Sequence, residues 1–175
     1  MNKEYIRSVV VVVCICLVMG LALALCYHIT QPRIEANELK KLNEAIRELF
    51  PASVGDPIEI ALTPDAPKTL KNLYKTADGK GYVAKINTNS GFGQSTFTVG
   101  IDAATMKIVG IKCISYGDSV GLDDGYLPSY SGQDKALADV VSSASPAKKT
   151  KATIEAAVRD VFTYLENTEF EEVAQ

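Results

Sequence analysis

Hydrophobic and polar residues are distributed unevenly along this chain, which begins with one long apolar run. No charged residue occurs from Val9 to Tyr27, and Gly20 is the only glycine in that run. At a rise of about 1.5 Å per residue the run spans about 28 Å as a helix, close to the hydrocarbon thickness of a bilayer. The pattern therefore predicts a transmembrane helix, which together with a short tail makes up residues 1–30.

Two other N-terminal signals fit this apolar run less well. A cleaved signal peptide would have a shorter apolar core, followed by a small-x-small cleavage site. A lipoprotein signal would need a small residue before Cys26, where the chain has Leu25. We therefore expect a single-pass protein of the cell membrane. Because the N-terminal tail is short, we expect it to stay inside and the domain to lie on the extracytoplasmic side.

Residues 31–69 are predicted to form an amphipathic helix followed by a connecting segment. Pro32 suits the first turn of a helix, and Pro51 ends the pattern. Between them, apolar residues recur at helical spacing, and charged residues occupy much of the other face. The apolar positions are Ile34, Leu39, Leu42, Ala45, Ile46, Leu49 and Phe50.

Strand-like segments separated by turns dominate the middle of the chain. Asp78-Gly79 lies between two such segments and is typical of a hairpin turn. The predicted strands are Ile58–Leu62, Leu70–Thr76, Tyr82–Thr88, Ser95–Ile101 and Lys107–Ser115. Because short turns join consecutive strands, the pattern favours an antiparallel meander.

Two helices are predicted after the strands. Gln133–Val141 fits a short helix, and Thr153–Leu165 fits an amphipathic helix that closes the domain. The fold class is therefore α+β, with a transmembrane helix, an amphipathic helix, an antiparallel sheet and a closing helix. Residues 70–175 make up the α+β domain.

Composition and charge exclude several function classes. The net charge of −3, without a basic patch, argues against nucleic acid as a partner. The single histidine, His28, lies at the membrane boundary, so the domain lacks the base of a hydrolase and the usual ligands of a zinc site. The acidic turn that contains Asp118 lacks the ligand spacing of an EF-hand. The cysteines have no CxxC spacing, and we interpret them as small apolar residues, the alternative being an iron–sulfur centre shared with a partner subunit.

Three loops rich in small residues are candidates for binding a ligand. Gly91–Gln94 precedes a strand, Gly117–Leu122 follows the last strand, and Asp139–Ser145 precedes the closing helix. Small residues let the backbone approach a planar or phosphorylated ligand, and a Ser-rich loop at a helix N-terminus offers donors to phosphate. Taken singly, each loop is also typical of an ordinary turn or helix cap.

The order and spacing of these loops resemble those of the FMN-binding domain family. That family includes the G subunit of the Rnf electron-transport complex and the C subunit of the sodium-pumping NADH:quinone oxidoreductase. Its members have a membrane helix, a Gly-aromatic-Gly-Gly loop, a Val-Gly-Ile-Asp strand, a Glu-Thr-Pro-Gly-Leu loop and an Asp-x-x-Ser-Gly-Ala-Thr segment. The similar stretches here are Gly91–Gln94, Val99–Asp102, Asp118–Leu122 and Asp139–Ser145, with Tyr130–Lys135 resembling an aromatic-x-Gly-x-x-Lys stretch of the family.

The resemblance implies a covalently bound FMN, attached as a phosphoester by a dedicated flavin transferase. Ser145 stands where the family has the threonine that carries the flavin, and Thr153 is a second candidate tether. Lys148 and Lys149 would offset the phosphate charge. The implied cofactor-binding residues are Ser145, Ser142, Thr150, Asp118, Ser119, Gly121, Leu122, Gly91 and Gly93. No catalytic residue and no metal ligand is expected.

The function that the resemblance implies is electron relay in an ion-translocating ferredoxin:NAD oxidoreductase of the Rnf type. This chain would work beside other membrane subunits of the complex. Two alternatives stay open. One is the same fold with a degenerate flavin site, acting as a structural or assembly subunit. The other is an anchored interaction module without redox chemistry.

Overall fold

The computed structural model describes residues 3–53, 55–119, 121–122, 124–137 and 148–168. Helix α1 spans Lys3–Leu49 and helix α2 spans Lys148–Asn167, with a 3-10 helix at Pro128–Tyr130. The strands are β1 (Ile58–Ile60), β2 (Leu70–Lys75), β3 (Gly81–Asn89), β4 (Gln94–Asp102) and β5 (Lys107–Ser115). The predicted α+β class, with a helix at each end of an antiparallel sheet, is confirmed.

Helix α1 contains the apolar run. Its most apolar stretch of 18 residues has a mean hydropathy of 3.2, and no residue of that stretch is buried within the protein. Within the part of the chain that the structure describes, α1 is the one helix long and apolar enough to cross a membrane. This helix is consistent with the predicted single-pass anchor.

The sequence predicts two helices that meet near Pro32, whereas the structure has one, with Pro32 inside α1. A proline removes one N–H from the helical ladder and crowds the carbonyl four residues earlier. That loss is confined to one turn. Because the residues on both sides continue the ladder, the helix does not end there.

Contacts between residues divide the chain into two units, residues 1–41 and residues 42–175. The second unit includes the last two turns of α1. Leu42, Ala45 and Ile46 are buried in that unit, whereas Ile34 and Leu39 in the first unit are exposed. The predicted apolar stripe is therefore buried only in its last two turns.

The five strands form one antiparallel sheet in the order β1-β2-β3-β4-β5. Strands β3 and β4 pair along their whole length, from Gly81 opposite Asp102 to Asn89 opposite Gln94. At the turn before β3, Gly79 has a φ of 70°, the left-handed region that glycine tolerates best. Both the meander and the hairpin turn at Asp78-Gly79 are as the sequence predicts.

Helix α2 packs on one face of the sheet and forms the main core with it. Phe97, Val99 and Ile101 alternate along β4 and are fully buried. The buried residues of the apolar face of α2 are Ile154, Ala157, Val158, Val161, Phe162 and Leu165. Burial of each large side chain stabilises the folded state by about 1.5–3 kcal/mol, so this core holds α2 firmly on the sheet. The start of α2 then lies near the ends of β3 and β5.

The end of α1 packs against glycines on the other face of the sheet, through its last residue, Leu49, and through Phe50, which follows it. A Cβ atom built on Gly81 would lie 2.4 Å from the ring of Phe50, and one on Gly110 would lie 2.9 Å from Leu49. Gly100 lies directly opposite Gly110 in the β4–β5 pairing. The absence of side chains at these positions therefore makes room for Leu49 and Phe50.

The predicted helix at Gln133–Val141 is wrong for residues 133–137, which are not helical. Residues 138–141 lie outside the described residues. The backbone at this point bonds to β5: the Gly132 N–H donates to the Ile108 carbonyl at 2.7 Å, and the Ile108 N–H donates to the Gln133 carbonyl at 2.8 Å. Leu137 has a φ of 54°, which is incompatible with a right-handed helix.

Two fully buried tyrosines lie beside the start of α2. The hydroxyls of Tyr126 and Tyr130 are 2.6 Å apart, and their rings meet edge to face with centroids 5.3 Å apart. Burial raises the pKa of both phenols above their ordinary value. The cause is that a buried tyrosinate loses its hydration.

Stability is expected to fall above pH 10 because of this tyrosine pair. The unfolded state loses its phenolic protons near pH 10, while the folded state keeps them, so the stabilisation is complete below pH 10 and is lost as the pH rises. At pH 11 each tyrosine lowers the free energy of unfolding by about 1.4 kcal/mol relative to its value below pH 10. Urea unfolding of the full chain in detergent at pH 8 and pH 11 measures this loss. A Tyr126→Phe, Tyr130→Phe double variant should lose less stability over the same range, and an equal loss would contradict the assignment.

Candidate functional site

Asp118 joins three segments that are far apart in the sequence. Its carboxylate oxygen Oδ2 accepts a hydrogen bond from Ser90 Oγ at 2.8 Å and another from the hydroxyl of Thr150. Ser90 follows β3, Asp118 follows β5, and Thr150 lies in the first turn of α2. We call these three residues the Asp118 junction. Hydrogen bonds to a charged acceptor are roughly twice as strong as neutral ones, so the junction holds these segments together firmly.

The two loops at the ends of β3 and β5 also touch through their backbones. A Cβ atom built on Gly93 would lie 2.0 Å from the carbonyl oxygen of Gly117, and one built on Gly117 would lie 2.3 Å from that of Gln94. The Gly117 N–H donates to Ser95 Oγ at 3.2 Å. Only glycine permits backbones to approach so closely.

The loop Gly91–Gln94 is held by local hydrogen bonds. The Gly91 N–H donates to Asn89 Oδ1 at 2.9 Å, and the Phe92 N–H donates to Ser90 Oγ at 3.3 Å. Gly91 has a φ of 86°. Side chains of Asn and Ser commonly close turns of this kind. The result is a fixed loop whose one large side chain, that of Phe92, is 62% exposed.

The start of α2 concentrates positive charge. Its first turn has no acidic residue and begins with Lys148 and Lys149, followed closely by Lys151. Lys149 Nζ lies 5.3 Å from the centroid of the Phe92 ring, and the buried Lys151 holds its Nζ 4.6 Å from the ring centroid of Tyr126. Because the N-terminus of a helix is already its positive end, this arrangement favours an anionic group there.

Tyr116 lies beside the Asp118 junction. Burial, and then the negative charge of Asp118, raise the pKa of its phenol, and a hydrogen bond with Thr150 acts in the opposite direction. Its ring meets Phe97 edge to face, with centroids 6.5 Å apart. The junction therefore lies against the main core.

Four of the sequence-predicted site residues, Gly91, Gly93, Asp118 and Thr150, lie in the segments that the junction brings together. Ser119 is exposed immediately after Asp118.

The remaining predicted residues are placed differently. Gly121 has nothing within 4 Å of the position of a Cβ atom. Leu122 is half-buried against the core and helps to line a cavity of about 590 Å³ along β5. Ser142 and Ser145 lie outside the described residues.

Two hydroxyls at the start of α2 are committed to bonds within the protein. The side chain of Thr150 is 2% exposed and donates to Asp118, and Thr153 Oγ1 donates to the Thr150 carbonyl at 2.8 Å. The buried Thr150 is therefore poorly placed to carry a flavin phosphate, whereas Thr153 is half-buried and stays the second candidate. Ser145 stays the predicted tether.

Sequence reasoning misses two residues of this region, Ser90 and Phe92. The triplet Asn89-Ser90-Gly91 carries only a turn signal, which does not reveal that Ser90 reaches Asp118, 28 residues further on. Phe92 matches the aromatic position of the family loop, but the sequence does not show that its ring is exposed beside Lys149.

The residues of this region fit a phosphorylated, planar cofactor. Lys149 and the first-turn N–H groups of α2 are suited to a phosphate. Gly91 leaves open surface, since nothing lies within 4 Å of a Cβ atom there. Across the described residues, no group of three or more His, Cys, Asp or Glu side chains is arranged to hold a metal ion.

Replacing Asp118 by alanine is expected to destabilise the domain by about 3 kcal/mol, because the half-buried Ser90 and buried Thr150 hydroxyls both lose their acceptor. Urea unfolding of the full chain in detergent, followed by circular dichroism, measures the change. Ser119→Ala is the matched control, since Ser119 is exposed and its loss should change stability by less than about 0.5 kcal/mol.

A double-mutant cycle of Asp118→Ala with Thr150→Val separates the energy of the hydrogen bond between these residues from effects of each substitution on packing. The coupling between Asp118 and Thr150 should be about 1–2 kcal/mol if their hydrogen bond is responsible. Additive effects of the two substitutions would mean that Asp118 stabilises the domain in another way.

Comparison of the sequence with models of known protein families finds none that matches this chain, and comparison with curated proteins finds no match either. The structure itself establishes an α+β domain that follows a long apolar helix, with two loops and the start of α2 joined at Asp118.

Proposed function

We propose that this chain is a membrane-anchored electron-carrying subunit of a redox-driven complex, and that it holds a covalently attached FMN. One observation supports this most directly. The loops Gly91–Gln94 and Asp118–Leu122, which resemble two of the FMN-binding motifs, meet the start of α2 at the Asp118 junction. The third motif, Asp139–Ser145, directly precedes α2 in the sequence and lies outside the described residues.

Ser145 is the proposed tether for the phosphate. It precedes Lys148 by three residues, so covalent geometry keeps their Cα atoms within about 11 Å of each other. A phosphate at Ser145 is therefore within reach of the positive start of α2, where Lys148 and Lys149 offset its charge. Ser142 borders the same phosphate.

FMN supplies the ability to accept and pass on electrons one or two at a time. The chain's own residues position it. Gly91 leaves open surface for a planar ring, and the Asp118 junction holds the loop that carries Gly91 against the start of α2. Thr150 donates to Asp118 and so holds the start of α2 at the junction.

The anchor places this relay beside other membrane subunits. Helix α1 is long and apolar enough to cross the bilayer once. We assign the domain to the extracytoplasmic side and the complex to the Rnf type, which transfers electrons between ferredoxin and NAD and couples this to ion movement. The chain itself breaks no substrate bond, and it receives its flavin from a flavin transferase.

The mass of the full chain, isolated from its native membranes, tests this proposal. A covalently bound FMN adds a defined increment, and the denatured chain should fluoresce as a flavin in a gel. The two alternatives predict no increment and no fluorescent band. Of these, a structural or assembly subunit would co-purify with a stable set of multi-span subunits, whereas an anchored interaction module would be isolated without them.

A further inference from the structure

Phe92 is an exposed aromatic residue beside the candidate site. Within the described part of residues 42–168, Phe92 and Ile58 are the two exposed large hydrophobic side chains, at 62% and 52%. Phe92 lies at the tip of the loop between β3 and β4, directly beside the candidate site. The ring of this side chain is therefore accessible to a flat ligand.

The loop holds Phe92 in this position by several independent restraints. The Phe92 N–H donates to Ser90 Oγ, which itself donates to Asp118. On the other side, Gly93 packs against the Gly117 carbonyl so closely that no side chain fits there. The backbone that carries the exposed ring is therefore fixed in advance. Such pre-organisation lowers the entropy cost of binding a ligand.

Lys149 defines the chemistry beside this ring. Its ammonium lies 5.3 Å from the ring centroid and belongs to the first turn of α2. With the cation over one face, the ring keeps its other face for a planar ligand, and the cation attracts negative charge that such a ligand carries. The isoalloxazine ring and phosphate of FMN have this combination.

We propose that Phe92 stacks on the isoalloxazine ring of the FMN and that Lys149 faces the negatively charged part of the same cofactor. This inference rests on the proposed function and adds the residue that contacts the ring. Ring-on-ring contact restricts the tethered flavin to one orientation, which a phosphoester bond to a single side chain does not achieve. Phe92 is thus a residue that binds the cofactor and orients it for electron transfer.

A tryptophan at this position tests the contact. The chain has no tryptophan, so Phe92→Trp introduces a single indole, which quenches flavin fluorescence on contact. The full chain is produced together with a flavin transferase, purified in detergent, and its emission is normalised to covalent FMN determined by mass. Emission from Phe92→Trp should fall several-fold below that of the unsubstituted chain. Ile58→Trp, at the other exposed hydrophobic position, should leave it unchanged.

A second variant reports ring exposure without a quencher in the chain. Phe92→Leu removes the stacking ring, so added iodide should quench the flavin more strongly than in the unsubstituted chain. Equal emission from Phe92→Trp and Ile58→Trp, at equal FMN content, overturns the inference and leaves the proposed function intact. A chain that carries no covalent FMN overturns both.

Discussion

Replacing Ser145 by alanine is expected to remove the covalent FMN completely. A phosphoester needs a side-chain hydroxyl. Two other hydroxyls lie at the start of α2, but that of Thr150 donates to Asp118 and that of Thr153 donates to the Thr150 carbonyl. The full chain is produced together with a flavin transferase and its intact mass is measured. The mass increment of FMN and the in-gel flavin band should both disappear.

Two variants serve as controls for the Ser145 experiment. Ser145→Thr keeps a hydroxyl and should retain the increment, which shows that the loss in Ser145→Ala is chemical. Thr153→Val removes the second candidate hydroxyl and should also retain the increment. Fragmentation of the modified peptide locates the bond. An FMN found on Thr153 would contradict the assignment of the tether.

The strands of this fold can be predicted from the sequence because each is a local pattern. Lys107–Ser115 agrees with β5 at both ends, and the Asp78-Gly79 turn lies where the sequence places it. Alternation of side chains along a strand, and the tolerance of glycine for positive φ, depend on only a few neighbouring residues. The apolar face of α2 is predictable for the same reason.

Features that depend on contacts between distant segments are not predictable in this way. The Ser90 and Thr150 hydroxyls reach Asp118 across 28 and 32 residues, and nothing in their local sequence indicates that partner. The predicted helix at Gln133–Val141 fails because the backbone at Gly132 and Gln133 bonds to Ile108 instead. Pairing at the edge of the sheet overrides a weak local preference for helix.

The candidate site is predictable in part. The resemblance names Gly91, Gly93, Asp118 and Thr150, and the structure brings their segments together at the junction. The resemblance does not reveal the partner of Thr150, whose buried hydroxyl donates to the carboxylate of Asp118. The junction depends on the packing of α2 against the sheet, which a motif does not encode.

Replacing Gly93 by alanine is expected to be the most destabilising single-methyl change in the site. The added Cβ would lie 2.0 Å from the Gly117 carbonyl oxygen, a backbone atom that no side-chain rotation can move away. One of the two loops must shift, which separates Ser90 from Asp118. The expected cost is about 3 kcal/mol, and the midpoint of thermal unfolding should fall by about 10 °C.

Two other glycines show why the cost at Gly93 comes from the close approach of the backbones. Gly121→Ala should be nearly neutral, within about 0.5 kcal/mol, because nothing lies within 4 Å of its Cβ position. Gly91→Ala should cost about 1–2 kcal/mol, since its φ of 86° disfavours a side chain although the space is open. Thermal unfolding of the full chain in detergent ranks the three variants. If Gly93→Ala unfolds no earlier than Gly121→Ala, the loops around Gly93 and Gly117 do not meet as described, and the junction at Asp118 loses its structural basis.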